Sequence, residues 1–323
     1  MLGTAAAGEL LGARPGAPHR FAVLPPVPGV GVPAADSVDP RAVQRFVREM
    51  REQRFDIAVQ LHGGGRYSNP LVAGLRARCS AGPSAADAIA LDRSIDYVYA
   101  QHEVVRWSEV AALVGAVPSV AGPALELTAA EAAARANRGR QPTVVIHPGA
   151  SDPRRRWPVG CFAEVATQLV AAGVAVRLVG SGDADAAACA EIASAVAPAD
   201  RGRNSVEDLS GRLALPELAT VLAGADVMVG NDSGPRHLAE ALGARTVSVF
   251  WCGNLINAGP FGRARHRVQV SWTTECPVCG RECVRTDAGA ERCPHDVSFV
   301  GDVPVEAVGR DVARMLELAL RER

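Results

Sequence analysis

The sequence predicts an α/β protein with two domains, each built on a parallel β-sheet. Its 323 residues exceed one ordinary domain and suit two domains of about 150 residues each. Hydrophobic residues make up 48% of the chain and charged residues 21%, which is the composition of a globular protein. Short apolar runs alternate with helical patterns, and this alternation is typical of parallel strands that helices cover on both faces.

In the N-terminal half, regular structure is predicted after a loop. Residues 24–33 are rich in Pro and Gly, which excludes a helix or a central strand there. Asp39 offers an N-cap and Pro40 suits the first helical turn, so the apolar spacing that follows predicts a helix through about Gln53. Residues 55–61 then predict a strand that ends at a run of glycines.

The domain boundary is predicted near residue 139. Residues 125–138 form a Glu- and Ala-rich helical stretch that ends in a polar segment with Gly and Pro. We therefore expect an N-terminal domain over residues 1–139 and a C-terminal domain over residues 140–303. Residues 304–323 then form a C-terminal helix.

The C-terminal half repeats the strand and helix pattern more clearly. Residues 143–147, 174–180, 226–230 and 245–250 are short apolar runs that predict strands, each followed or preceded by a helical stretch. Ligands of such sheets bind at the carboxyl ends of the strands. Two helices show a buried face, one with Phe162, Val165, Ala166, Leu169 and Val170, the other with Val305, Val308, Val312, Met315, Leu316 and Leu320.

Charge and hydropathy narrow the classes of function. The formal net charge is -1 and the pI is near 6.7, whereas a protein that follows phosphates normally carries a basic surplus. We therefore expect a small-molecule partner and no nucleic acid. No apolar run reaches the roughly 18 to 20 residues of a membrane span, and the first residues lack the cationic start of a signal peptide. A cytoplasmic location is expected.

The most informative segment is residues 229–243, which read VGNDSGPRHLAEALG and connect a strand to a helix. Gly234 lets the backbone approach a ligand, and the free N–H groups of the first helical turn favour an anion, to which Ser233 adds a hydroxyl. Such a turn can hold a diphosphate. Asp232 could orient a ligand hydroxyl, and His237 could point back toward the same crevice. In the alternative, Asp232 or Ser233 only caps the helix, with Pro235 near its first position.

A second loop, HPGASDPRRRWP at residues 147–158, leaves a strand at the same end of the sheet. Its three arginines beside Gly149 and Ser151 suit phosphate, because a guanidinium pairs bidentately with phosphate oxygens. A solvated surface is the alternative for an arginine triplet. His147 ends an apolar run, which is more typical of a hydrogen-bonded core residue than of a catalyst.

These two segments together resemble glycosyltransferase family 9, the heptosyltransferase-like enzymes of the two-domain GT-B architecture. The matching motifs are HPGAS with the Arg-Trp-Pro element that follows, and NDSGPRHLAEALG about 80 residues later. Residues 208–218 resemble the family's segment near the nucleobase. The resemblance covers roughly residues 53 to 320 and is weak before residue 116. It implies two Rossmann-like domains, with the C-terminal helix packing back toward the N-terminal domain.

The resemblance also implies a function and its residues. The expected donor is a nucleoside-diphosphate sugar, typically a heptose such as ADP-heptose, whose sugar passes to a hydroxyl acceptor with inversion and without a catalytic cofactor. The resemblance places the catalytic groups at Asp232, His237 and Arg155. It places the residues that bind the donor at Gly149, Ser151, Arg155, Asp183, Gly211, Asp232, Ser233, Gly234, Pro235 and His237, with Asp185 as an alternative to Asp183 at the ribose.

One departure from the family concerns the general base. Family members normally begin with a strand, a glycine-rich loop that carries an Asp taken to be the base, and a helix, and residues 1–12 do not match this unit. A partner that supplies the unit, another acid, a truncated start or lost catalysis would each account for this. His62 and Asp36 could be proposed as a base, but each is more typical of a structural or surface residue.

Two alternatives to a transferase therefore stay open. One is a protein that binds a nucleotide-sugar without catalysis, and the other is a different GT-B enzyme of sugar nucleotides such as an epimerase. Beyond the donor, the expected partner is an unidentified hydroxyl acceptor, and a peripheral position near a membrane and a homo-oligomer stay open.

A cysteine-rich segment stands apart from these motifs. Cys276, Cys279, Cys283 and Cys293 fall within eighteen positions, with His295 two residues after the last of them. A C-x-x-C pair with two more cysteines and a histidine nearby fits a tetrahedral structural zinc site. We expect the four cysteines as ligands. Reduced or disulfide-paired cysteines are the alternative.

Overall fold

The computed structural model describes six segments of the chain, which form two compact units. The described segments are residues 1–12, 14–32, 39–117, 122–200, 205–284 and 293–322. Unit 1 contains residues 1–12 and 17–117 of this set, and unit 2 contains residues 14–16 and all described residues from 122 onward. Among the described residues, no helix is both long and apolar enough to cross a membrane.

Unit 1 contains a three-stranded parallel sheet and several shorter strands. Asp39 caps its second helix by accepting a hydrogen bond from the Arg41 N–H, as its sequence predicts. In chain order the elements are β1 (Leu2–Gly3), α1 (Ala5–Leu11), β2 (Ala22–Val23), β3 (Val27–Pro28), β4 (Gly31–Val32), α2 (Pro40–Arg51), β5 (Ile57–Val59), α3 (Ser68–Gly74), β6 (Cys79–Ser84), β7 (Arg93–Asp96) and α4 (Glu103–Ala112).

The sheet of unit 1 has the order β5-β6-β7, and all its pairs are parallel. Ala58, Val72, Leu75 and Leu91 form a small buried core beside it. At the start of the chain, β1 pairs in parallel with β2, and α1 connects them. The sequence analysis did not predict this strand and helix. Their only acidic residue is the exposed Glu9.

Unit 2 is built on a six-stranded sheet in which every pair is parallel. Its elements are α5 (Ala129–Ala136), β8 (Thr143–His147), a 3₁₀ turn (Pro153–Arg155), α6 (Val159–Ala171), β9 (Ala175–Leu178), α7 (Asp183–Asp200), β10 (Val206–Asp208), α8 (Leu215–Gly224), β11 (Val227–Asn231), α9 (Gly234–Ala241), β12 (Arg245–Trp251), α10 (Cys252–Ala258), β13 (His266–Ser271) and α11 (Val305–Arg321).

The strand order of unit 2 is β10-β9-β8-β11-β12-β13. The chain runs from β8 outward to β10 on one side, and then returns to place β11 on the other side of β8. The loops after β8 and β11 therefore diverge at the carboxyl edge of the sheet, which creates the crevice where ligands of such sheets bind. Helices cover both faces, and the α/β class with parallel sheets predicted from the sequence is confirmed.

Helix α5 belongs to unit 2, whereas the sequence placed it at the end of the first domain. It packs against α8, and Arg138 just beyond it donates a hydrogen bond to the Ala223 carbonyl at 3.1 Å. Its Glu131 closes a capping box with Thr128 and also accepts two hydrogen bonds from the Arg14 guanidinium. These contacts hold α5 on the second sheet, so the change of unit falls before residue 122 rather than at residue 139.

Helix α11 also packs within unit 2. The sequence analysis expected it to pack back toward the N-terminal domain, but its buried face contacts α6 and the strands β11, β12 and β13. Val308, Val312, Met315 and Leu316 are buried as predicted, whereas Leu320 in the last turn is 42% exposed. The apolar face of α11 suits the surface of either sheet, and the sequence alone does not specify which sheet the helix covers.

The buried ion pair of Arg14 and Glu131 provides a test of this arrangement. Their side chains are 3% and 2% exposed. Arg14→Met should lower the free energy of unfolding by roughly 3 to 5 kcal/mol, because it leaves a carboxylate buried without its partner. Arg78→Met is the matched control, since the Arg78–Asp56 pair is exposed and such pairs contribute less than about 1 kcal/mol. Urea unfolding of both variants measures the difference, and equal losses would contradict this assignment.

Candidate functional site

A cleft of about 410 Å³ lies at the carboxyl edge of the unit 2 sheet, where the loops after β8 and β11 diverge. Its size falls in the range of about 300 to 1,000 Å³ that is typical of small-molecule sites. The starts of α7 and α8 complete the wall. The polar lining consists of His147, Ser151, Arg156, Ser181, Asp183, Asp185 and Ser233, and the backbone of Gly234 and the apolar side chains of Leu213, Leu218 and Pro235 also face the cleft.

The side chain of Asn231 connects the two loops that form this cleft. Asn231 is the last residue of β11 and is fully buried. Its amide nitrogen donates to the Pro148 carbonyl at 2.8 Å and lies 3.3 Å from the Gly149 carbonyl. Its amide oxygen accepts from the Trp157 N–H at 3.0 Å. The loop after β8 is thus fixed at both its beginning and its end by one residue of β11, a role that the sequence analysis missed.

Asp232, the next residue, contacts the other two residues that were predicted to be catalytic, Arg155 and His237. Arg155 donates to its Oδ2 at 2.8 Å, and His237 Nε2 lies 2.9 Å from its Oδ1. Arg155 also donates to the Ser151 hydroxyl at 3.0 Å. The Asp232 side chain is 3% exposed, whereas those of Arg155 and His237 are 19% and 38% exposed. These four residues connect a buried carboxylate to groups that solvent or a ligand can reach.

The hydrogen bonds around His237 determine its tautomer. A guanidinium can only donate, and Arg236 Nη1 lies 3.0 Å from His237 Nδ1. The Nδ1 atom therefore accepts, and the ring proton is on Nε2, where it is donated to Asp232. Arg236 is itself fully buried and paired with Glu240 at 2.7 Å. These contacts hold the imidazole of His237 in a fixed orientation beside Asp232.

Two opposing effects determine the pKa of Asp232. Burial opposes ionisation, but the hydrogen bond from His237 and the positive charge of Arg155 outweigh it, so the pKa of this carboxyl lies below its ordinary value of 3.8. Asp232 is therefore ionised at neutral pH. Because both of its oxygens are occupied and its pKa is low, it is a weak base and is better suited to orient neighbouring groups.

A second chain of hydrogen bonds lies inside the cleft. His147 Nδ1 lies 3.0 Å from the Ser233 hydroxyl, and its Nε2 lies 3.2 Å from Asp185 Oδ2. The pKa of Asp185 is lowered, since the bonds from His147 and from the Ser181 N–H outweigh the effect of burial. His147 is buried, as expected from its sequence, but it also orients the hydroxyl of Ser233, which was predicted to bind the donor.

Gly149 has a steric role in this arrangement. A Cβ at this position would lie 2.2 Å from Asp185 Oδ1, so a larger residue would displace the carboxylate from His147. Gly149 does not line the cleft, in contrast to the prediction that it contacts the donor. Gly211 is also absent from the lining; it adopts φ +68° and donates its N–H to the Gly180 carbonyl at 3.0 Å. The nearby lining residue is Leu213.

The remaining predicted residues divide into two groups. Arg155, Asp232 and His237 form the ion-pair group beside the cleft and do not line it, whereas Arg156, one of the three arginines that the sequence offered for phosphate, does. Arg156 Nε donates to the Ala150 carbonyl at 2.8 Å. Five of the residues predicted to bind the donor line the cleft, namely Ser151, Asp183, Ser233, Gly234 and Pro235.

The start of α9 shows that Ser233 is more than a helix cap. Ser233 occupies the N-cap position, but its side chain makes no capping hydrogen bond and contacts His147 instead. Pro235 follows in the first turn. Gly234 is exposed, and a Cβ there would meet nothing within 4 Å. The first turn of α9 therefore presents backbone to open space at the cleft, which is the geometry that favours an anion.

His62 and Asp36 were the two residues proposed from the sequence as a general base. The His62 Nε2 atom lies 3.1 Å from the Gly29 carbonyl in unit 1. Asp36 falls outside the described residues.

The cysteine-rich segment gathers four ligand atoms, with one change from the predicted set. The group consists of Cys276, Cys279, Cys293 and His295, whose ligand atoms all lie within 4.8 Å of one another. Cys283 was expected as a ligand, but its Sγ lies 3.2 Å from the Arg281 carbonyl within the same turn, and His295 takes its place. All eight cysteines are free thiols, so the disulfide alternative is not what the structure shows.

A family model for glycosyltransferase family 9 (heptosyltransferase) matches residues 43–286. Among curated proteins, the chain is similar to lipooligosaccharide heptosyltransferase 2 of Haemophilus influenzae, with 32% identity over 113 residues that cover 35% of this chain and 32% of that protein. It is also similar to lipopolysaccharide heptosyltransferase 1 of Pseudomonas aeruginosa, with 30% identity over 149 residues that cover 46% and 39% of the two chains. The matched part spans only about a third of the length of such relatives.

Solved structures are similar over nearly the whole chain. The ADP-heptose lps heptosyltransferase II of E. coli aligns with a TM-score of 0.69 and 19% identity, covering 98% of this chain and 88% of that chain. The family 9 glycosyl transferase of Veillonella parvula has a TM-score of 0.69, 16% identity and coverage of 98% and 87%. An E. coli heptosyltransferase with ADP has a TM-score of 0.65, 16% identity and coverage of 97% and 89%. These likenesses confirm the GT-B fold class.

The buried Asn231 amide leads to a stability prediction. Asn231→Asp keeps the shape of the side chain but removes the N–H donor and sets a carboxylate against the Pro148 carbonyl. We expect a loss of at least about 1 to 3 kcal/mol in the free energy of unfolding, the usual effect of an unsatisfied buried group. The control is Gln141→Glu, because Gln141 makes one exposed hydrogen bond to Gly173. Denaturant unfolding that finds equal losses would show that Asn231 does not join the loops.

The lowered pKa values of Asp232 and Asp185 predict acid sensitivity. Both carboxyls are more acidic in the folded protein than their ordinary value of 3.8. Their contribution to stability is therefore full above that pH and is lost as the pH falls through the lower values of the folded state. Asp232→Asn should flatten this loss when unfolding is measured between pH 6 and pH 2. Asp56→Asn, whose carboxylate is exposed, should leave the profile unchanged; an identical profile for Asp232→Asn would overturn the assignment.

Proposed function

The chain belongs to glycosyltransferase family 9, and from this membership and the geometry of the cleft we propose that it transfers a sugar from a nucleoside-diphosphate sugar to a hydroxyl acceptor, with inversion at the anomeric carbon. The observation that carries the proposal is the meeting of the loop after β8 with the start of α9. Cationic, hydroxyl and backbone donors converge there on one cleft.

We place the diphosphate of the donor at this meeting point. Arg156, Ser151 and the open backbone at Gly234 line the cleft, and Arg155 stands beside it through its bond to Ser151. Guanidinium and N–H donors stabilise the charge that develops on a diphosphate as it leaves. The leaving group is thereby stabilised by side chains and backbone of unit 2, so we propose that transfer requires no catalytic cofactor.

The nucleoside fits the opposite wall of the cleft. Asp183 and Asp185 offer carboxylates to ribose hydroxyls, and Leu213 and Leu218 offer apolar contact to a base. An E. coli heptosyltransferase of similar fold is known with ADP, and another is named for ADP-heptose. We therefore propose an adenine nucleotide and a heptose as the donor.

The ion-pair group beside the cleft is proposed to serve the reacting sugar. The acceptor oxygen attacks the anomeric carbon, the bond to the diphosphate breaks with its electron pair on phosphate, and the acceptor proton passes to a base. Asp232 is a weak base for the reasons given above, so we assign it, with Arg155 and His237, to orienting the donor. The general base remains unassigned in this proposal, as does the acceptor.

Binding of nucleoside diphosphates provides a first test of the donor site. Calorimetric titration with ADP, GDP, UDP and CDP should show selective binding of ADP. Arg156→Ala and Arg155→Ala should each weaken it by about 10- to 100-fold, since hydrogen bonds to charged groups contribute roughly 1.5 to 3 kcal/mol. Arg177→Ala, which removes an exposed ion pair on β9, should leave it unchanged. Equal affinity in all three variants would contradict the placement of the diphosphate.

Turnover separates a transferase from a protein that only binds the donor. Release of free ADP from ADP-heptose in the presence of a lipopolysaccharide-core acceptor should be abolished by Asp232→Ala. If the unaltered protein binds ADP-heptose but releases no ADP with this acceptor or with a panel of other hydroxyl acceptors, the proposal of transfer is wrong and the binding alternative replaces it.

A further inference from the structure

The Cys/His group of unit 2 has the dimensions of a tetrahedral metal site. Cys279 Sγ and Cys293 Sγ are 3.5 Å apart, and His295 Nδ1 lies 3.3 Å from Cys293 Sγ and 3.7 Å from Cys276 Sγ. A tetrahedral zinc ion, with Zn–S of about 2.3 Å and Zn–N of about 2.05 Å, would separate two sulfurs by about 3.8 Å and a sulfur from a nitrogen by about 3.6 Å. A disulfide would bring two sulfurs to about 2.05 Å.

The backbone around the first two cysteines also fits a metal ligand. The N–H groups of Val278 and Cys279 point at Cys276 Sγ, and the Gly280 N–H donates to the Cys276 carbonyl at 2.9 Å. Gly280 has φ +68°, a conformation that glycine adopts without strain and that closes this turn. N–H groups aimed at a sulfur stabilise a thiolate, which is the form that binds a metal.

We propose that Cys276, Cys279, Cys293 and the Nδ1 atom of His295 bind one structural Zn²⁺ ion, which positions the loop after β8 for nucleotide binding. Three thiolates and one imidazole form a closed set of four, as expected of a structural rather than a catalytic zinc. Cys283 is a neighbour of this site and not a ligand, since its Sγ faces the Arg281 carbonyl.

The residues just after the site provide the connection to that loop. The Phe299 N–H donates to the Arg154 carbonyl at 2.8 Å, and the Ser298 hydroxyl donates to the Arg156 carbonyl at 2.7 Å. The Trp157 indole N–H donates to the Val303 carbonyl at 3.0 Å. Three hydrogen bonds thus connect residues 298–303 to the loop after β8, which carries Arg154, Arg155 and Arg156.

Packing strengthens the same connection. Cys276, Cys293, Trp157 and Phe299 belong to one buried core, and the Arg154 guanidinium lies 5.6 Å from the centre of the Phe299 ring. The proposed ligands Cys293 and His295 precede the segment that makes these contacts, and the Ser271 hydroxyl at the end of β13 donates to the Phe299 carbonyl at 2.6 Å. Removing the ion should therefore loosen the loop of Arg154, Arg155 and Arg156 without any direct contact between ion and nucleotide.

The metal itself is tested by elemental analysis of protein purified without chelator or added metal. We expect about one zinc per chain, with substoichiometric iron. Cys279→Ser and His295→Ala should lower zinc affinity by more than the roughly 10- to 100-fold typical of an outer-shell change. Cys283→Ser and His295→Cys should retain the ion. A chain without stoichiometric zinc, stoichiometric iron in its place, or loss of zinc in Cys283→Ser equal to that in Cys279→Ser would overturn the site.

The positioning role is tested on the unaltered chain, which avoids variants that fail to fold. After removal of zinc by a chelator, amide hydrogen exchange should accelerate in residues 151–157 and 298–303, and re-addition of Zn²⁺ but not Mg²⁺ should restore protection. Unchanged exchange in both segments would overturn this role.

The effect on nucleotide binding rests on the proposed function and is measured separately. Zinc removal should weaken ADP binding by about tenfold or more, because losing the groups that support a binding site from behind typically costs roughly 10- to 100-fold. Unchanged ADP affinity in the zinc-free chain would overturn the positioning role. Failure of the zinc-loaded chain to bind ADP would instead count against the proposed function, while zinc content and hydrogen exchange would still decide the metal site.

Discussion

The cleft of unit 2 depends on one buried amide at the point where the order of the strands reverses. Parallel strands β8 and β11 lie side by side, but the loops after them diverge, and nothing in a β-ladder fixes the distance between two such loops. The side chain of Asn231 supplies that constraint, because it bonds to both the beginning and the end of the loop after β8. The amide is fully buried, so water cannot replace these hydrogen bonds, and they hold the loop after β8 in the observed position.

Charge is arranged around this constraint so that each buried ion has a partner. Arg236 is fully buried against Glu240, and Asp232 is buried between Arg155 and His237. Burial of a lone ion would be costly, whereas these pairs continue toward the surface until they reach the partly exposed Arg155 and His237. The polarity needed for a charged ligand is therefore held in place before the ligand arrives, which is the arrangement that lowers the cost of binding it.

The strands β8, β9, β11 and β12 of unit 2, but not β10 and β13, could be predicted from the sequence to within about two residues at their ends, because each of the four is a short apolar run bounded by breakers. Three features could not. The hydrogen bond between His147 and Ser233 joins residues that are 86 positions apart. The presence of His295 instead of Cys283 in the metal-ligating group depends on how a turn closes. Helix α5 joins unit 2 through its contacts with α8. Each depends on which surfaces meet in space, and local pattern holds no information about that.

The two sequence motifs contain residues with different roles, and the structure shows which of them line the cleft and which lie behind it. Gly149 and Asn231 face inward, where Gly149 leaves room for Asp185 and Asn231 connects the loops, whereas His147, Ser151 and Arg156 line the cleft. A motif match gives all of them equal weight because all lie within the same short segments. The set that can touch a ligand is consequently smaller than the motif, and the inward set explains why the outward set holds its geometry. Specificity for one nucleotide should then reside in positions outside both motifs, on the apolar wall where α8 begins.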